Sequence, residues 1–498
     1  MSSRPCARRG CPVRVLLIQP PHIGEKVVRP PSFLPLNLGY LASAMRGAGM
    51  EVAVLDIWGR HLSSAEVRRF LNSETFDVYG VSALSTQFDY VEKMISLMRE
   101  ITSKPVVLGG ALATFSYDAV FATMDVNVCV LGEGEDTALE LFPAVASGED
   151  LSRIRGIAYR REDEVVVTGP PEPIRDLDSI PLPAYDLFDV TAYAAKCSVY
   201  SKYGTWNHLP ALNVLSGRGC PFDCHFCSKT ISGTRYRSVE AVVDEIRFLV
   251  RKYGIRAVFF NDELLVASRK RVLELCEKIG PLKLKWSCQG RANLMDRSLV
   301  RAMKAAGCVS VGYGIESGSQ ALLEAMNKRQ TLEDVVRAVN VTVAEGVEPI
   351  PQWMFGYPGE NEETVRETRS TFSRLDFPVN PAFICTPLPG TRLYEDALRE
   401  GRITDRVDFH RKLSDGYASR RSVLVNYTPW SADELYRRKR ALEVQVRLGF
   451  YGRALMKPRL YGVLVKEIRM SLAHRFNQFK QWVFALPGRR PAAAVSDN

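Results

Sequence analysis

Three cysteines, Cys220, Cys224 and Cys227, stand in the stretch LNVLSGRGCPFDCHFC at residues 212–227. Their Cys-x3-Cys-x2-Cys spacing keeps all three thiols within one loop. Thiolates are the usual ligands of iron–sulfur clusters, and three of them can hold three corners of a four-iron cube. The fourth iron then lacks a protein ligand. Such an open site admits a small molecule and turns an electron carrier into a catalyst. Zinc is the competing occupant, because soft thiolates suit it too. A closed zinc site needs four ligands, and the nearest fourth candidate is His225, between Cys224 and Cys227. A disulfide fits less well. The eleven cysteines are an odd number, scattered singly outside the triplet, which is the pattern of a reducing compartment.

The surrounding chain supplies a scaffold. Leu212, Val214 and Leu215 form a short apolar run that reads as a buried strand and breaks at Ser216-Gly217-Arg218-Gly219. Between Trp206 and Pro389, strand-like runs recur at 211–215, 257–261, 285–289, 309–313, 348–355 and 382–386. Helical patterns, with apolar residues three and four apart, fill 239–253, 268–279, 296–306, 332–345 and 362–375. Six βα units predict an open, partial (β/α)6 barrel of TIM type, with its chemistry at the C-terminal strand ends. Those ends carry Asn261-Asp262-Glu263, Gln289-Gly290-Arg291, Glu316-Ser317 and Gly356-Tyr357-Pro358-Gly359-Glu360. A blander role is open to Asp262 and Glu316 as helix caps, and to Arg291 as a solvated charge.

Residues 13–150 show the same alternation, with predicted strands at 13–19, 51–56, 77–82, 105–108 and 126–131. This predicts an α/β, doubly wound parallel sheet of Rossmann-like form, binding its ligand beyond the carboxyl ends of the strands. At those ends stand Pro20-Pro21, Ser82-Ala83-Leu84-Ser85-Thr86, Gly109-Gly110-Ala111 and Gly132-Glu133-Gly134-Glu135. Glycine lets a bulky ligand approach the backbone, although βα turns use glycine in any case.

The cysteine triplet at the end of a first strand resembles the radical S-adenosylmethionine (SAM) superfamily. GIESGS is similar to that family's fourth-strand motif, and GYPGE to its fifth. PLNLGYLASAMRGAG, VVLGGALAT and VLGEGEDTALEL resemble the cobalamin-binding domain that precedes many such barrels. The resemblance implies a 4Fe–4S cluster on Cys220, Cys224 and Cys227 whose open iron chelates SAM and whose electron cleaves it. It further implies that Glu316, beside Ser317, contacts the sugar or amino end of SAM, and that the backbone at Asn261-Asp262 meets the amino group. Gly356 and Pro358 would line the adenosyl pocket, and Arg291 would meet the carboxylate, which guanidinium forks match. Cobalamin would lie on Ser82, Leu84, Thr86, Gly109, Gly110, Gly132 and Glu133.

One departure matters. The familiar Asp-x-His-x-x-Gly signature is missing, since none of His22, His61, His208, His225, His410 and His474 has that context. The nearest phrase, Asp56-Ile57-Trp58, puts tryptophan where the histidine would be. The resemblance therefore implies cobalamin bound with its base displaced and no histidine on cobalt. The implied reaction moves a methyl group from SAM via methylcobalamin to an unactivated carbon of a small molecule. An external donor of flavodoxin or ferredoxin type would supply the electrons. Cyclisation or rearrangement with the same cofactors is the alternative, and no residue separates the two. From another class comes a zinc-stabilised, non-catalytic ligand-binding scaffold.

The chain divides into a basic tail (1–12), the first domain (13–150), a hairpin and Pro-rich linker (151–205), the barrel (206–400) and a mainly helical region (401–498). Hydrophobic content of 46% and charged content of 24% are those of a globular protein. No apolar run reaches the ~18 residues of a membrane span, and Val15 to Ile18 is too short for a signal core. A cytoplasmic protein is expected. The net charge of +10 is uneven, with 14 Lys/Arg against 3 Asp/Glu from Tyr436 onward. There Leu460, Val463, Leu464, Ile468, Leu472, Phe476, Phe479 and Val483 recur at helical steps among lysines and arginines. This basic amphipathic helix either docks on the barrel or makes a peripheral contact with an anionic membrane, which would suit an apolar or lipid-like substrate. No nucleic-acid motif accompanies it.

Overall fold

A computed structural model describes residues 12–21, 33–197, 199, 201–231, 233–416, 422–470 and 472. Most of the basic tail, and the predicted stripe positions Phe476, Phe479 and Val483, lie outside the described residues.

The first sheet contains β1 (Arg14–Gln19), β2 (Glu51–Asp56), β3 (Val78–Ser82), β4 (Val106–Gly109), β5 (Val128–Val130), β6 (Ile157–Arg161) and β7 (Glu164–Val167). Its order is β2-β1-β3-β4-β5-β6-β7. The first five strands are parallel. Helices α1 (Leu36–Gly47) and α5 (Glu135–Ser147) share one core, while α2 (Ser64–Ser73), α3 (Phe88–Ile101) and α4 (Ala111–Thr123) share another. Cover on both faces explains why β1 reads as an unbroken apolar run, with Val15, Leu16, Leu17 and Ile18 all buried. The β6–β7 hairpin, expected in the linker, instead extends this sheet antiparallel to β5, because Ile157, Ala158 and Tyr159 are buried against it. The linker adds α6 (Val190–Lys196).

The second sheet runs β8 (Ala211–Val214), β11 (Ala257–Phe260), β12 (Lys285–Gly290), β13 (Cys308–Glu316), β14 (Glu348–Phe355) and β15 (Phe383–Ile384), each parallel to the next. Spatial order therefore equals chain order, as a curled, open βα barrel requires. The cysteine loop is inserted after β8 and bracketed by a small antiparallel pair, β9 (Gly217–Arg218) and β10 (Arg235–Tyr236). Helices α7 (Val239–Tyr253), α8 (Arg269–Ile279), α9 (Arg297–Ala305), α10 (Gln320–Ala325), α11 (Leu332–Ala344) and α12 (Glu362–Phe372) alternate with the strands. Ser238, Asp296, Thr331 and Asn361 set helix starts by accepting backbone N–H groups with their side chains. One continuous apolar core joins α1 and α5 to the barrel.

Three further helices follow: α13 (Arg392–Arg399), α14 (Arg406–Gly416) and α15 (Ala432–Met456). Helix α14 turns back onto the first domain, where Arg411 pairs with Glu92 at 2.7 Å. Residues 461–470 are helical and dock at the barrel foot through Leu460, Leu464 and a buried Lys202–Glu467 pair at 2.7 Å. Ile468 and Leu472, expected on the same apolar stripe, are instead exposed. The buried Glu467, just before Ile468, takes the inward position instead.

Candidate active site

The cysteine loop is positioned from below. Ser216 donates its N–H to Asp262 Oδ1 at 2.8 Å and its hydroxyl to Oδ2 at 2.6 Å. Arg271 donates to the Ser216 carbonyl and to the Arg237 carbonyl, both at 3.0 Å. Burial pushes the Asp262 carboxyl up to about 6, against the pull of the Ser216 bonds. Asp262 therefore neither caps a helix nor faces a ligand with its side chain; it anchors the strand-to-loop turn. Gly219 follows at φ +83°, where an added Cβ would meet the Gly233 carbonyl at 2.2 Å, so only glycine fits. Its N–H donates to Glu263 at 3.0 Å.

The loop is stitched to the segment after α10. The His225 N–H donates to Met326 O at 3.0 Å, and Asn327 Nδ2 donates to Asp223 O at 2.6 Å. Cys224 is buried and Cys227 the most exposed of the three, and all three thiols are free. Desolvation, then the neighbouring Cys224 and Cys220, push the Cys227 thiol up to about 11. A thiol raised in this way becomes a thiolate only beside compensating positive charge, which metal ions supply. His225 is turned elsewhere: Nδ1 lies 3.0 Å from Ala325 O and Nε2 3.5 Å from Arg392. Among the described residues no three His, Cys, Asp or Glu side chains converge on one point, as ligands of a single zinc ion would. Three free thiols in one loop are the donor set that would hold a 4Fe–4S cluster.

Arg291 is buried beside this loop. Its guanidinium stacks 3.6 Å from the Phe222 ring centroid and lies 3.6 Å from Cys224 Sγ, while Nη2 has no hydrogen-bond partner. An orphaned buried N–H suits an anionic ligand such as a carboxylate. Glu316 sits at φ +58° and pairs with Lys328 at 2.7 Å, above Gly314, whose missing Cβ leaves room for both. Lys328 also lies 5.5 Å from the Phe226 ring, inside the cysteine loop. Ser317 turns away from the mouth, accepting the Ser319 N–H at 3.1 Å while its hydroxyl lies 3.4 Å from that of Thr368. Gly356, at φ +90°, donates its N–H to Glu360 at 2.9 Å, and burial pushes that carboxyl up to about 7. Asn261 is exposed and Pro358 half-buried at adjoining strand ends.

The first sheet turns its own strand ends toward this mouth. Gln87 ties the β1 and β3 ends together, donating to the carbonyls of Pro21 at 2.6 Å and Pro20 at 3.2 Å. Ser82 accepts from Asn37 at 2.8 Å, Thr86 is half-buried, and Leu84 stands 44% exposed, an apolar group offered to whatever lies above. Gly110 has φ +84°, and a Cβ there would meet the Ala83 carbonyl at 2.6 Å. Gly109 beside it is half-buried. Gly132, at φ +86°, donates its N–H to Thr114 at 3.0 Å. The three glycines keep these strand ends open, and Leu84 is the bulky side chain that projects there. Asp56 is absent from this set, its carboxylate taken by Tyr193 at 2.7 Å and the Gly59 N–H at 2.8 Å.

Residues that local patterns do not reveal join the halves. Arg218, two residues before Cys220, donates to Glu133 at 2.8 Å and to Glu135 at 2.6 Å, and Arg235 meets Glu133 at 2.8 Å. Glu133 is thus held by two arginines of the barrel. A kink at Ser116 in α4 sends Phe115 against Gly390, where a Cβ would lie 2.3 Å from the ring. A cavity of about 300 Å³ lined by Tyr203, Trp206, Val309, Phe377 and Val463 lies at the opposite, N-terminal end of the strands, away from this chemistry.

Comparison with known proteins agrees with this division. The Radical SAM superfamily description matches residues 214–372, and the B12 binding domain description matches residues 27–142. An uncharacterized methyltransferase of Pyrococcus horikoshii is 31% identical over 78% of this chain and 83% of its own length. The chain belongs to the radical SAM superfamily, in the branch that carries a B12-binding domain. The anaerobic magnesium-protoporphyrin IX monomethyl ester cyclase of Rubrivivax gelatinosus is 30% identical over 77% of this chain and 70% of its own. Among solved structures, the radical SAM methyltransferase TsrM of Kitasatospora setae shares the fold with a TM-score of 0.65, at 22% identity, over 78% of this chain and 75% of that one.

Proposed function

We propose that this protein is a cobalamin-dependent radical SAM enzyme that transfers a methyl group from SAM to an unactivated carbon of a small, apolar molecule. The observation carrying the proposal is the loop of three free thiols, tied by the Arg218 clamp to the glycine-rich strand ends of the first sheet. When bound, a 4Fe–4S cluster supplies the reducing electron for SAM cleavage, and cobalamin carries the methyl group.

The chain's own residues bind and orient. Cys220, Cys224 and Cys227 hold the cluster, and Arg291 offers its unpaired Nη2 to the SAM carboxylate. Glu316 is held in place by Lys328 as a contact for the sugar or amino end. Asn261 and Asp262 contribute backbone, Gly356 and Pro358 the adenosyl wall, and Ser317 the shape of the β13 turn. Ser82, Leu84, Thr86, Gly109, Gly110 and Gly132 cradle cobalamin, while Glu133 contributes backbone because its carboxylate is engaged by Arg218 and Arg235. Enclosure between the two domains keeps water and side reactions from reactive species. An external flavodoxin- or ferredoxin-type protein delivers electrons.

The test is anaerobic reconstitution with iron, sulfide and cobalamin, followed by turnover with methyl-labelled SAM. Labelled product together with 5′-deoxyadenosine is expected. The cyclase relative favours a second reading, in which the same residues direct ring formation. Deoxyadenosine without methyl incorporation would select it. Oxygen-free protein that retains neither iron nor cobalt would overturn both.

A further inference from the structure

Helix α15 is apolar on two opposite faces. Leu435, Leu442, Val446 and Phe450 are buried against the barrel, whereas Val444, Leu448 and Leu455 are 49%, 61% and 63% exposed on the far side. Met456 at 82%, then Val465 and Ile468 at 47% and 46%, continue the outer stripe onto the helix at 461–470. Eight of the fourteen exposed large hydrophobic residues among those described fall between 444 and 472. An ordinary solvated surface scatters such side chains singly; a contiguous run marks a contact surface.

Charge identifies what the surface meets. Residues 444–472 contain six Lys/Arg and one carboxylate, Glu467, which is buried against Lys202. Lys457 and Arg459 pair with the buried Asp376, at 3.4 and 2.6 Å. Arg447, Lys466 and Arg469 are exposed around the stripe, and no carboxylate of that stretch is. The sequence that follows, AHRFNQFKQWVFAL, continues both the aromatic and the basic composition. Large aliphatic side chains ringed by cations suit the boundary between acyl chains and anionic headgroups.

An acidic redox partner would match the charge but not the position. The stripe reaches the barrel foot, where Arg453 donates to Leu375 O and Glu467 approaches the start of β14. The cysteine loop lies at the other end of the strands, and the eight residues of β14 span roughly 25 Å. A reductant seated there would face away from its acceptor.

We infer that the outer face of α15 and the helix at 461–470 rests on an anionic lipid bilayer, holding the enzyme peripherally at the membrane. The inference adds a location to the proposed reaction and is read without turnover, so either can fail while the other stands. The experiment is co-sedimentation of the full-length holoprotein with vesicles of phosphatidylcholine alone, or of phosphatidylcholine mixed with phosphatidylglycerol. The wild type should pellet with the anionic vesicles and be released by salt. Leu448→Glu/Leu455→Glu/Ile468→Glu should partition roughly tenfold more weakly. Arg447→Glu/Arg469→Glu should lose the preference for anionic lipid while keeping wild-type cobalt and iron content, which separates lost binding from misfolding. The idea is overturned if the wild type stays in the supernatant, or if both variants pellet like wild type. It is equally overturned if the apolar variant only splits a dimer, or only loses affinity for an acidic ferredoxin.

Discussion

Arg218 and Glu133 meet at 2.8 Å across the two domains, and the same guanidinium reaches Glu135 at 2.6 Å. The pairs are largely buried. Burial opposes the charge on Arg218, and Glu135 and Glu133 outweigh it, so the group stays ionised. Because Arg218 lies two residues before Cys220, this contact fixes the cysteine loop relative to the β5–α5 turn of the first sheet. Two cofactor sites that must exchange a one-carbon group need such registration, since misplacement of about an ångström can cost a hundredfold in rate.

Replacing Arg218 with alanine strands Glu135 and leaves Glu133 to Arg235 alone in a desolvated interface. A loss of roughly 3 kcal/mol is expected, the usual cost of breaking a buried pair. Arg218→Lys keeps the charge but cannot span both glutamates, so it should recover only part of this. Hydrogen exchange at residues 130–136 would report the loss. Unchanged protection there would show that the domains are held by their apolar contacts alone.

Cys224→Ala removes one of three cluster ligands without touching the first sheet. Iron content and production of 5′-deoxyadenosine should fall to background while cobalamin remains bound. Ultraviolet–visible spectra of anaerobically reconstituted protein distinguish the two chromophores. Retained SAM cleavage would refute the cluster assignment.

Asp262→Ala tests positioning rather than ligation. The Ser216 N–H and hydroxyl would lose their acceptor in a fully buried site, at a cost of about 1–3 kcal/mol. Iron occupancy after reconstitution should drop with the cysteines intact, and Asp262→Asn should restore part of it by accepting the Ser216 N–H. Normal occupancy in the alanine variant would return Asp262 to a purely local role.

The strands were readable in the sequence because parallel strands covered on both faces are continuous apolar runs, as at Val15–Ile18 and Val258–Phe260. Helix starts were readable because Ser238, Asp296 and Thr331 act within their own turn. The cysteine triplet carried its chemistry in local spacing. What could not be read was long-range pairing: Glu133 finds Arg218 at 85 residues' distance and Asp262 finds Ser216 at 46. Lys328 is closer to Glu316 in the chain, but α10 intervenes, and no periodicity relates them. Helix α15 is apolar on both sides, so its pattern does not say which face docks. The helix at 461–470 likewise hides a buried Glu467 among positions that a hydrophobic period would fill with leucine.

His410 gives the protein an acid-sensitive joint. It lies on α14, fully buried, with its ring stacked on Phe88 of the first domain at 4.9 Å. Burial drives its pKa down to about 4, against the pull of Asp118 and the Ser85 backbone. A histidine with a depressed folded pKa contributes stability that is fully present above the unfolded value of about 6.5. That contribution is lost as pH falls toward 4, because the unfolded chain binds the proton first. The full loss is roughly 3 kcal/mol at the acid end, from about 1.4 kcal/mol per pKa unit. His410→Phe preserves the stack and cannot titrate. Thermal melting at pH 7.5 and at pH 5 should therefore show the wild type losing more stability than the variant, with hydrogen exchange in α3 following the same trend. Parallel pH dependence in the two proteins would place the acid-sensitive group elsewhere.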